Sequence, residues 1–398
     1  MGEWKNCTLS SLGTIVGGAT PSTKKPENYE GGEIPWITPK DLSGFSGRYI
    51  SCGERNITEI GLKSCSAQMM PKHSVLFSSR APIGYVAISD CDVCTNQGFK
   101  SIVPNKDTDY LFLYYLLLYK KHEIENLGSG TTFKEVSAST MKGIEVRVPV
   151  DKGEQERIAG ILSALDDKIE SNAHINENLE QQLRSVFMEL FSDKIANVEA
   201  NNHRPLGELV INIDNRGKTP PLETTPTEYP IIDVRALSGT SRIVNYANCT
   251  KFVSAETYSS WFRSGHPKPK DILVSTVGSL AEIKIFLGSK GCIAQNVVGF
   301  RTKDISPYYL YQYLTAIKND LVAYNIGSVQ PSIKVTHIIK HPIYIPSTEE
   351  LETFDALAES ATNAIYNNTL ESERLAGIRD ALIPKLMSGE IDLSEVQF

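Results

Sequence analysis

Two stretches of the chain place apolar residues in alternating steps of four and three. The first runs from about Glu154 to Phe191 and aligns Ile158, Leu162, Leu165, Ile169, Asn172, Asn176, Leu179, Leu183, Val186 and Leu190 on one stripe. That spacing predicts a coiled-coil seam. The second, after Pro346, aligns Leu351, Phe354, Ala358, Ala361, Ile365, Asn368, Ser372, Leu375, Arg379 and Leu382. Its seam is weaker, with two alanines and an arginine, and Ile378 is expected to share the contact at Arg379. Each helix, of about 37 residues, would be roughly 55 Å long. Polar residues interrupt both stripes near the middle, Asn172 and Asn176 in one and Asn368 and Ser372 in the other. In an antiparallel pair these would meet and set the register at some cost in stability. The alternative is a frayed, hydrated mid-section.

Elsewhere the period shortens to that of strands, in runs such as Ser74–Phe77, Tyr85–Ile88, Ile144–Val148, Asp271–Val274 and Ile343–Ile345. One apolar helix is expected in each such region, Tyr110 to Glu125 after Asp109 and Tyr308 to Leu321 after Ser306-Pro307, because both starts carry a capping signal. The pattern predicts a mixed α+β chain. Residues 1–152 and 201–347 form two globular heads, and residues 153–200 and 348–398 form helical spacers pairing as an antiparallel coiled coil.

The heads are one module written twice. Gly17-Gly18-Ala19-Thr20-Pro21 returns as Arg216-Gly217-Lys218-Thr219-Pro220, and Leu42-Ser43-Gly44 as Leu237-Ser238-Gly239. Val75-Leu76-Phe77-Ser78 returns as Ile272-Leu273-Val274-Ser275, Gly98-Phe99 as Gly299-Phe300, and Leu127-Gly128-Ser129 as Ile326-Gly327-Ser328. Two similar heads on two similar helices imply a pseudo-symmetric reader of something two-fold.

Charge changes the picture once it is divided by segment. The whole chain carries −7, but the heads carry +1 and +6 and the helical spacers −6 and −8. Basic heads on acidic helices fit heads that touch phosphates and helices that do not. No stretch has the length and apolarity of a membrane span or the pattern of a signal sequence, so a soluble, cytoplasmic chain is expected. Seven cysteines include one close pair, Cys91 and Cys94, and a structural zinc site would need a second pair or two histidines. Reduced thiols are expected.

Enzyme signatures are missing. The sequence has no phosphate-binding loop, no G-x-G-x-x-G opening a helix, and no Asn or Asp before Pro-Pro-aromatic, the tetrapeptide that grips an extruded adenine. Thr219-Pro220-Pro221-Leu222 only approaches it. Asp271 with Glu282 and Lys284 has the loose spacing of a nuclease metal site, but the matching positions of the first head, Ser74 and about Tyr85 and Ala87, do not repeat it.

The order head, long helix, head, long helix now gains specific motifs. G-x-T-P lies early in each head, Asp151-Lys152-Gly153-Glu154-Gln155-Glu156-Arg157-Ile158 opens the first helix, and Leu382-Ile383-Pro384-Lys385-Leu386-Met387-Ser388-Gly389-Glu390-Ile391 lies near the end. Over essentially its whole length the chain resembles the specificity subunits of type I restriction-modification enzymes. Glu349-Glu350-Leu351-Glu352 departs from the usual opening of the second helix.

The resemblance implies two target recognition domains, each reading half of an asymmetric bipartite site in double-stranded DNA, on a coil that docks two methyltransferase subunits. Two restriction and translocase subunits would join them. The chain itself would be non-catalytic and without cofactor, with S-adenosylmethionine, ATP and magnesium belonging to the partners. A different class stays open, a coiled-coil adaptor whose heads bind protein or glycan.

Candidate DNA contacts are small polar and basic loop residues at matching places, because such loops approach phosphates while Arg, Lys, Gln and Asn read base edges. In the first head they are Thr20, Ser22, Lys24, Lys25, Lys40, Ser78, Ser79, Arg80, Gln97, Ser129, Thr131 and Lys134. In the second they are Arg216, Lys218, Thr219, Arg235, Ser275, Thr276, Ser279, Gln295, Asn296, Ser328, Gln330 and Lys334. Trp36 and Trp261 could stack on bases, although tryptophan at such places is more often core.

A stiff coil would act as a ruler. Deleting one heptad around Leu162 to Lys168, with the facing heptad of the second helix, removes roughly 10 Å. Methylation mapping should then show unchanged half-sites with a shorter spacer or no activity; unchanged half-sites at an unchanged spacer would show that the helices do not measure DNA.

Overall fold

The computed structural model describes residues 3–45, 47–80, 82–130, 134–198, 202–327, 329–391 and 393. The chain divides into two compact units, Met1–Glu170 with Ser372–Phe398, and Ser171–Glu371. Each unit therefore contains one head and a part of both long helices, Lys152–Ala196 and Thr348–Ser388.

In the first unit a five-stranded sheet runs in the order Gly13–Gly17, Lys100–Pro104, Val75–Ser79, Ile83–Ser89, Tyr49–Ile50. All pairings are antiparallel except the last. A smaller sheet joins Asn56–Ile57, Ile34–Ile37 and Cys94–Thr95, and Trp4–Thr8 pairs with Glu145–Pro149. The helix Tyr110–Asn126 starts where Asp109 Oδ1 accepts from Phe112 N at 2.8 Å, an N-cap that satisfies an otherwise orphaned amide. Its Phe112, Leu113, Leu116 and Leu117 share one core with Val75, Phe77, Ile88 and Ile102 of the sheet.

That core also takes Ile158 and Leu162 from the first long helix and Ile383, Leu386 and Met387 from the second. Both motifs that flank the helices have a structural reason here. Gln155 is buried and stitches the helix start to the head: its Oε1 accepts from Asp109 N at 3.0 Å and its Nε2 donates to Pro149 O at 3.1 Å. Near the chain end, Gly389 takes φ +76° against the Trp4 indole, a backbone conformation suited to glycine after a helix. Arg147 Nη1 donates to Ser388 O at 3.3 Å beside it.

The second unit repeats the plan with a four-stranded antiparallel sheet in the order Val210–Ile213, Val297–Thr302, Ile272–Ser275, Ile283–Ile285. His203–Pro205 pairs with Pro342–Tyr344 as the small ribbon. The expected helix after Ser306 is split into Pro307–Ala316 and Lys318–Ala323, because Ile317 leaves helical geometry at φ −92°, ψ 18°. Phe187 and Phe191 of the first long helix, Phe354 of the second and Tyr309 of the head form an aromatic cluster with centroids 5.1 to 6.0 Å apart. These spacings lie in the range where rings attract edge-on or tilted.

Within each unit the long helices run antiparallel. In the second, Phe187 meets Phe354 and Lys194 pairs with Glu350; in the first, Asp166 pairs with Arg379 at 2.6 Å. Near the middle of the coil, Asn172 Nδ2 donates to Asn368 O at 3.4 Å and to Glu371 Oε2 at 2.8 Å, and Asn368 Nδ2 donates to Asn176 Oδ1 at 2.8 Å. The weak point of the second seam is resolved by charge: burial disfavours the Arg379 cation, but the Asp166 and Asp380 carboxylates outweigh it and raise its pKa. Ile378 stays exposed.

Among the described residues no helix is long and apolar enough to cross a membrane. Phe187→Ala should lower the stability of the second unit by about 3–5 kcal/mol, seen as an earlier urea midpoint. Replacing Asn172, Asn176 and Asn368 together with Leu should raise the melting temperature while loosening helix register. A lowered melting temperature would show that these amides stabilise the coil.

Candidate nucleic-acid interface

Loops from distant parts of the first head converge. Ala19 N donates to Thr95 O at 3.0 Å, Ser79 N to Gly98 O at 2.7 Å, and Val136 N to Ser79 O at 2.9 Å. The loops carrying Thr20, Arg80, Gln97 and Lys134 are thereby tied to one another. Gly18 permits the first of these approaches, since a Cβ there would lie 2.1 Å from Thr95 O. Arg80 and Ser129 both bridge to Glu135, and the Arg80 guanidinium lies 3.6 Å from the Glu135 carboxylate. Thr20 donates to Gln97 Oε1. Lys40 pairs with Glu54 at 2.6 Å on a neighbouring loop whose Pro39 packs on Gly98. Ser22, Lys24, Lys25, Ser129 and Lys134 are exposed.

The second head ties its loops in the same way. Thr276 N donates to Asn296 O at 2.7 Å, Gly278 N to Pro331 O at 3.0 Å, and Ile333 N to Thr276 O at 2.8 Å. Gln295 Nε2 donates to Thr219 Oγ1. Lys218, Ser279, Gln330 and Lys334 are exposed, and Asn296 is half-buried. Arg216 folds back onto Asp214 through two bonds of 2.9 and 2.8 Å, and Arg235 onto Asp233 at 2.9 Å. Both guanidinium groups are thus held by a carboxylate two residues before them.

Four expected contacts face inward instead. Ser78, Ser79, Ser275 and Thr276 are fully buried. Ser78 Oγ donates to Pro82 O and Ser275 Oγ to Ser279 O, at 2.8 and 2.5 Å, and each hydroxyl accepts a backbone amide at 2.8 Å. Ser79 and Thr276 bond the carbonyls of Gly98 and Asn296. Ser78, Ser79 and Ser275 end the strands Val75–Ser79 and Ile272–Ser275, and the four hydroxyls brace the backbone there. Trp36 is likewise core, donating to Ala19 O at 3.0 Å, and Trp261 packs edge-on to Phe262. Thr131 and Ser328 lie outside the described residues.

The nuclease-like trio does not assemble. Asp271 is bound by Arg301 at 2.7 Å, Glu282 pairs with Lys318 at 2.9 Å, and Lys284 donates to the Gly239 and Ser241 carbonyls. No cluster of metal-ligating side chains occurs among the described residues. All seven cysteines are free thiols.

Sequence reading missed Arg263, which is exposed and donates to Arg216 O at 3.0 Å. It reaches Arg216 across 47 residues of sequence, so no local pattern marks it. It also missed two buried arginines. Arg48 binds Glu170 through its backbone N at 3.2 Å and its Nε at 3.0 Å, and Asp167 through its guanidinium. Arg242 binds Glu180 three ways at 2.7 to 2.9 Å and Thr362 at 2.8 Å. Arg48 fastens the first head to the first long helix, and Arg242 fastens the second head to both.

Two loop clusters of one design thus lie on heads fused to paired helices. The family model for the type I restriction modification DNA specificity domain matches residues 1–181 and again 200–369. The type I restriction enzyme MjaIX specificity subunit of Methanocaldococcus jannaschii is 32% identical over 99% of this chain and 95% of its own length. The EcoR124I/EcoR124II specificity subunit of Escherichia coli is 31% identical over 48% of this chain and 47% of its own. The crystal structure of the type I restriction-modification S subunit from M. genitalium covers 97% of this chain and 96% of that one with TM-score 0.58 at 18% identity, a likeness of fold. The chain belongs to the family of type I restriction-modification specificity subunits.

Lys284 gives the second head a pH signature. Burial lowers its pKa from 10.5 to about 8, and a neutral amine still has hydrogens for both carbonyls. The folded pKa lies below the unfolded one, so between about pH 8 and 10.5 the unfolded state holds more protons and stability rises with pH. Lys284→Met should remove that rise, on the order of 3 kcal/mol across the window, as read by urea midpoints of both proteins at each pH.

Proposed function

We propose that each head reads one half of an asymmetric bipartite site in duplex DNA through its tied loop cluster, the chain itself doing no chemistry. The observation that carries this reading is one loop architecture built twice and furnished differently. Lys24-Lys25-Pro26-Glu27 in the first head stands where the second has Glu223-Thr224-Thr225-Pro226. A shared frame gives each head the same approach to a groove, and different side chains give different half-sites. The contacts are assigned to the exposed or half-exposed members of the two clusters, with Arg263 added.

The acidic helical segments, at −6 and −8, repel phosphate and offer surface to protein partners. Two methyltransferase subunits would bring S-adenosylmethionine and methylate adenine. A pair of restriction and translocase subunits would bring ATP and magnesium for translocation and cleavage. The name of the E. coli relative and that of the M. jannaschii relative each speak of a restriction enzyme, which supports such an assembly.

Purified alone, the chain should neither methylate nor cut DNA and should bind it weakly until methyltransferase is added; S-adenosylmethionine binding by the isolated chain, measured calorimetrically, would count against the reading. In the assembled methyltransferase, Arg80→Ala should relax one half-site by about 1–3 kcal/mol at a guanine and leave the other half intact. Equal weakening on all sequences would make Arg80 a phosphate contact.

A further inference from the structure

One side-chain pair recurs in both loop clusters. Thr20 Oγ1 donates to Gln97 Oε1, and Gln295 Nε2 donates to Thr219 Oγ1. The partners lie 77 and 76 residues apart, and all four residues are exposed. No core packing calls for either pair.

The backbone beneath each glutamine is held tightly. Around Gln97, Gly98 N donates to Asn96 Oδ1 at 2.8 Å and Gly98 O accepts from Ser79 N at 2.7 Å. Around Gln295, Asn296 N donates to Ala294 O at 2.6 Å and closes a three-residue turn. Gln295 sits there at φ +52°, a left-handed conformation that glycine adopts without strain and glutamine does not. Such strain persists where the side chain is needed and clusters at functional positions. Here it presents an exposed amide already oriented by a threonine.

We propose that Gln97 and Gln295 each read the major-groove edge of one adenine, with Thr20 and Thr219 as positioning residues. This rests on the reading of the heads as duplex DNA readers. Adenine presents the N6 amino donor beside the N7 acceptor, and a side-chain amide meets both at once. A threonine hydroxyl either donates or accepts, so it holds the amide from the side without using up that pair. With one Nε2 hydrogen given to Thr219, Gln295 keeps a second hydrogen for N7 and Oε1 for N6. With Oε1 accepting from Thr20, Gln97 keeps a lone pair for N6 and both Nε2 hydrogens. An amide oriented in advance loses less freedom on binding.

The test is selection of bound duplexes from a randomised library by the chain assembled with its methyltransferase. Gln295→Ala should lower the preference for adenine at one position of one half-site about tenfold or more, and Gln97→Ala should do so in the other half-site alone. Thr219→Val should weaken the same position as Gln295→Ala to a smaller degree, and Thr219→Ser should retain it. Gln295→Gly should lose the preference yet raise the melting temperature, which separates reading from folding. Three outcomes would overturn the proposal while the wild-type assembly still selects a bipartite site: unchanged preferences in the alanine variants, a uniform loss across all sequences, or loss at a base other than adenine. If the wild-type assembly selects no sequence at all, the DNA reading itself fails and this proposal with it.

Discussion

Burial of a second apolar face on each long helix is the constraint on which both units depend. A free coiled coil hides one stripe, the seam. Here Phe187 and Phe191, each one residue beyond the seam positions Val186 and Leu190, pack with Tyr309 and Phe354 in the second unit. Ile383, Leu386 and Met387 do the same among the sheet and helix residues of the first. A head without its helices would expose these contacts, and a helix pair without its heads would carry aromatic residues in water. Each head therefore shares its largest core with its coil segment, beside smaller apolar clusters made of head residues alone.

The buried arginines act on that arrangement in a different way. Arg48 and Arg242 are almost wholly buried, and each grips a helix glutamate with both backbone and guanidinium. Desolvating two charges offsets much of their attraction, so such a pair adds little net stability, whereas losing one partner is costly. What it does impose is direction. The fork of a guanidinium meets a carboxylate in few orientations, and so the loops are aimed relative to the helix segment of the same unit. That rigidity suits recognition, where base-reading groups must be held in place by their surroundings.

The loop clusters repeat one backbone frame in both heads. Buried hydroxyls of Ser78 and Ser275 make matching bonds in the two heads, and the exposed positions around them differ. The duplicated module thus keeps its buried geometry and varies the side chains that meet solvent.

The long helices, their seam, the duplication and the mixed α+β character were legible in the sequence, because a 3.5-residue period and a repeated order of motifs are local signals. The absence of catalytic motifs and the acidic character of the helical segments were equally local. Sequence alone did not separate inward from outward residues in the tight loops. Ser78 and Lys24 both read as small or polar loop positions, yet Ser78 lies in the strand Val75–Ser79 with its hydroxyl on the backbone, whereas the Lys24 side chain meets solvent. Nor could it place Arg263 beside Arg216 or join Thr20 to Gln97, since those neighbours are made by chain segments tens of residues apart. It took the tertiary structure to show that the helices bury a second face, that Arg379 is tolerated in a seam because Asp166 faces it, and that Gln295 is held in a strained turn. Periodicity records which face of an element avoids water; only the fold determines what that face meets.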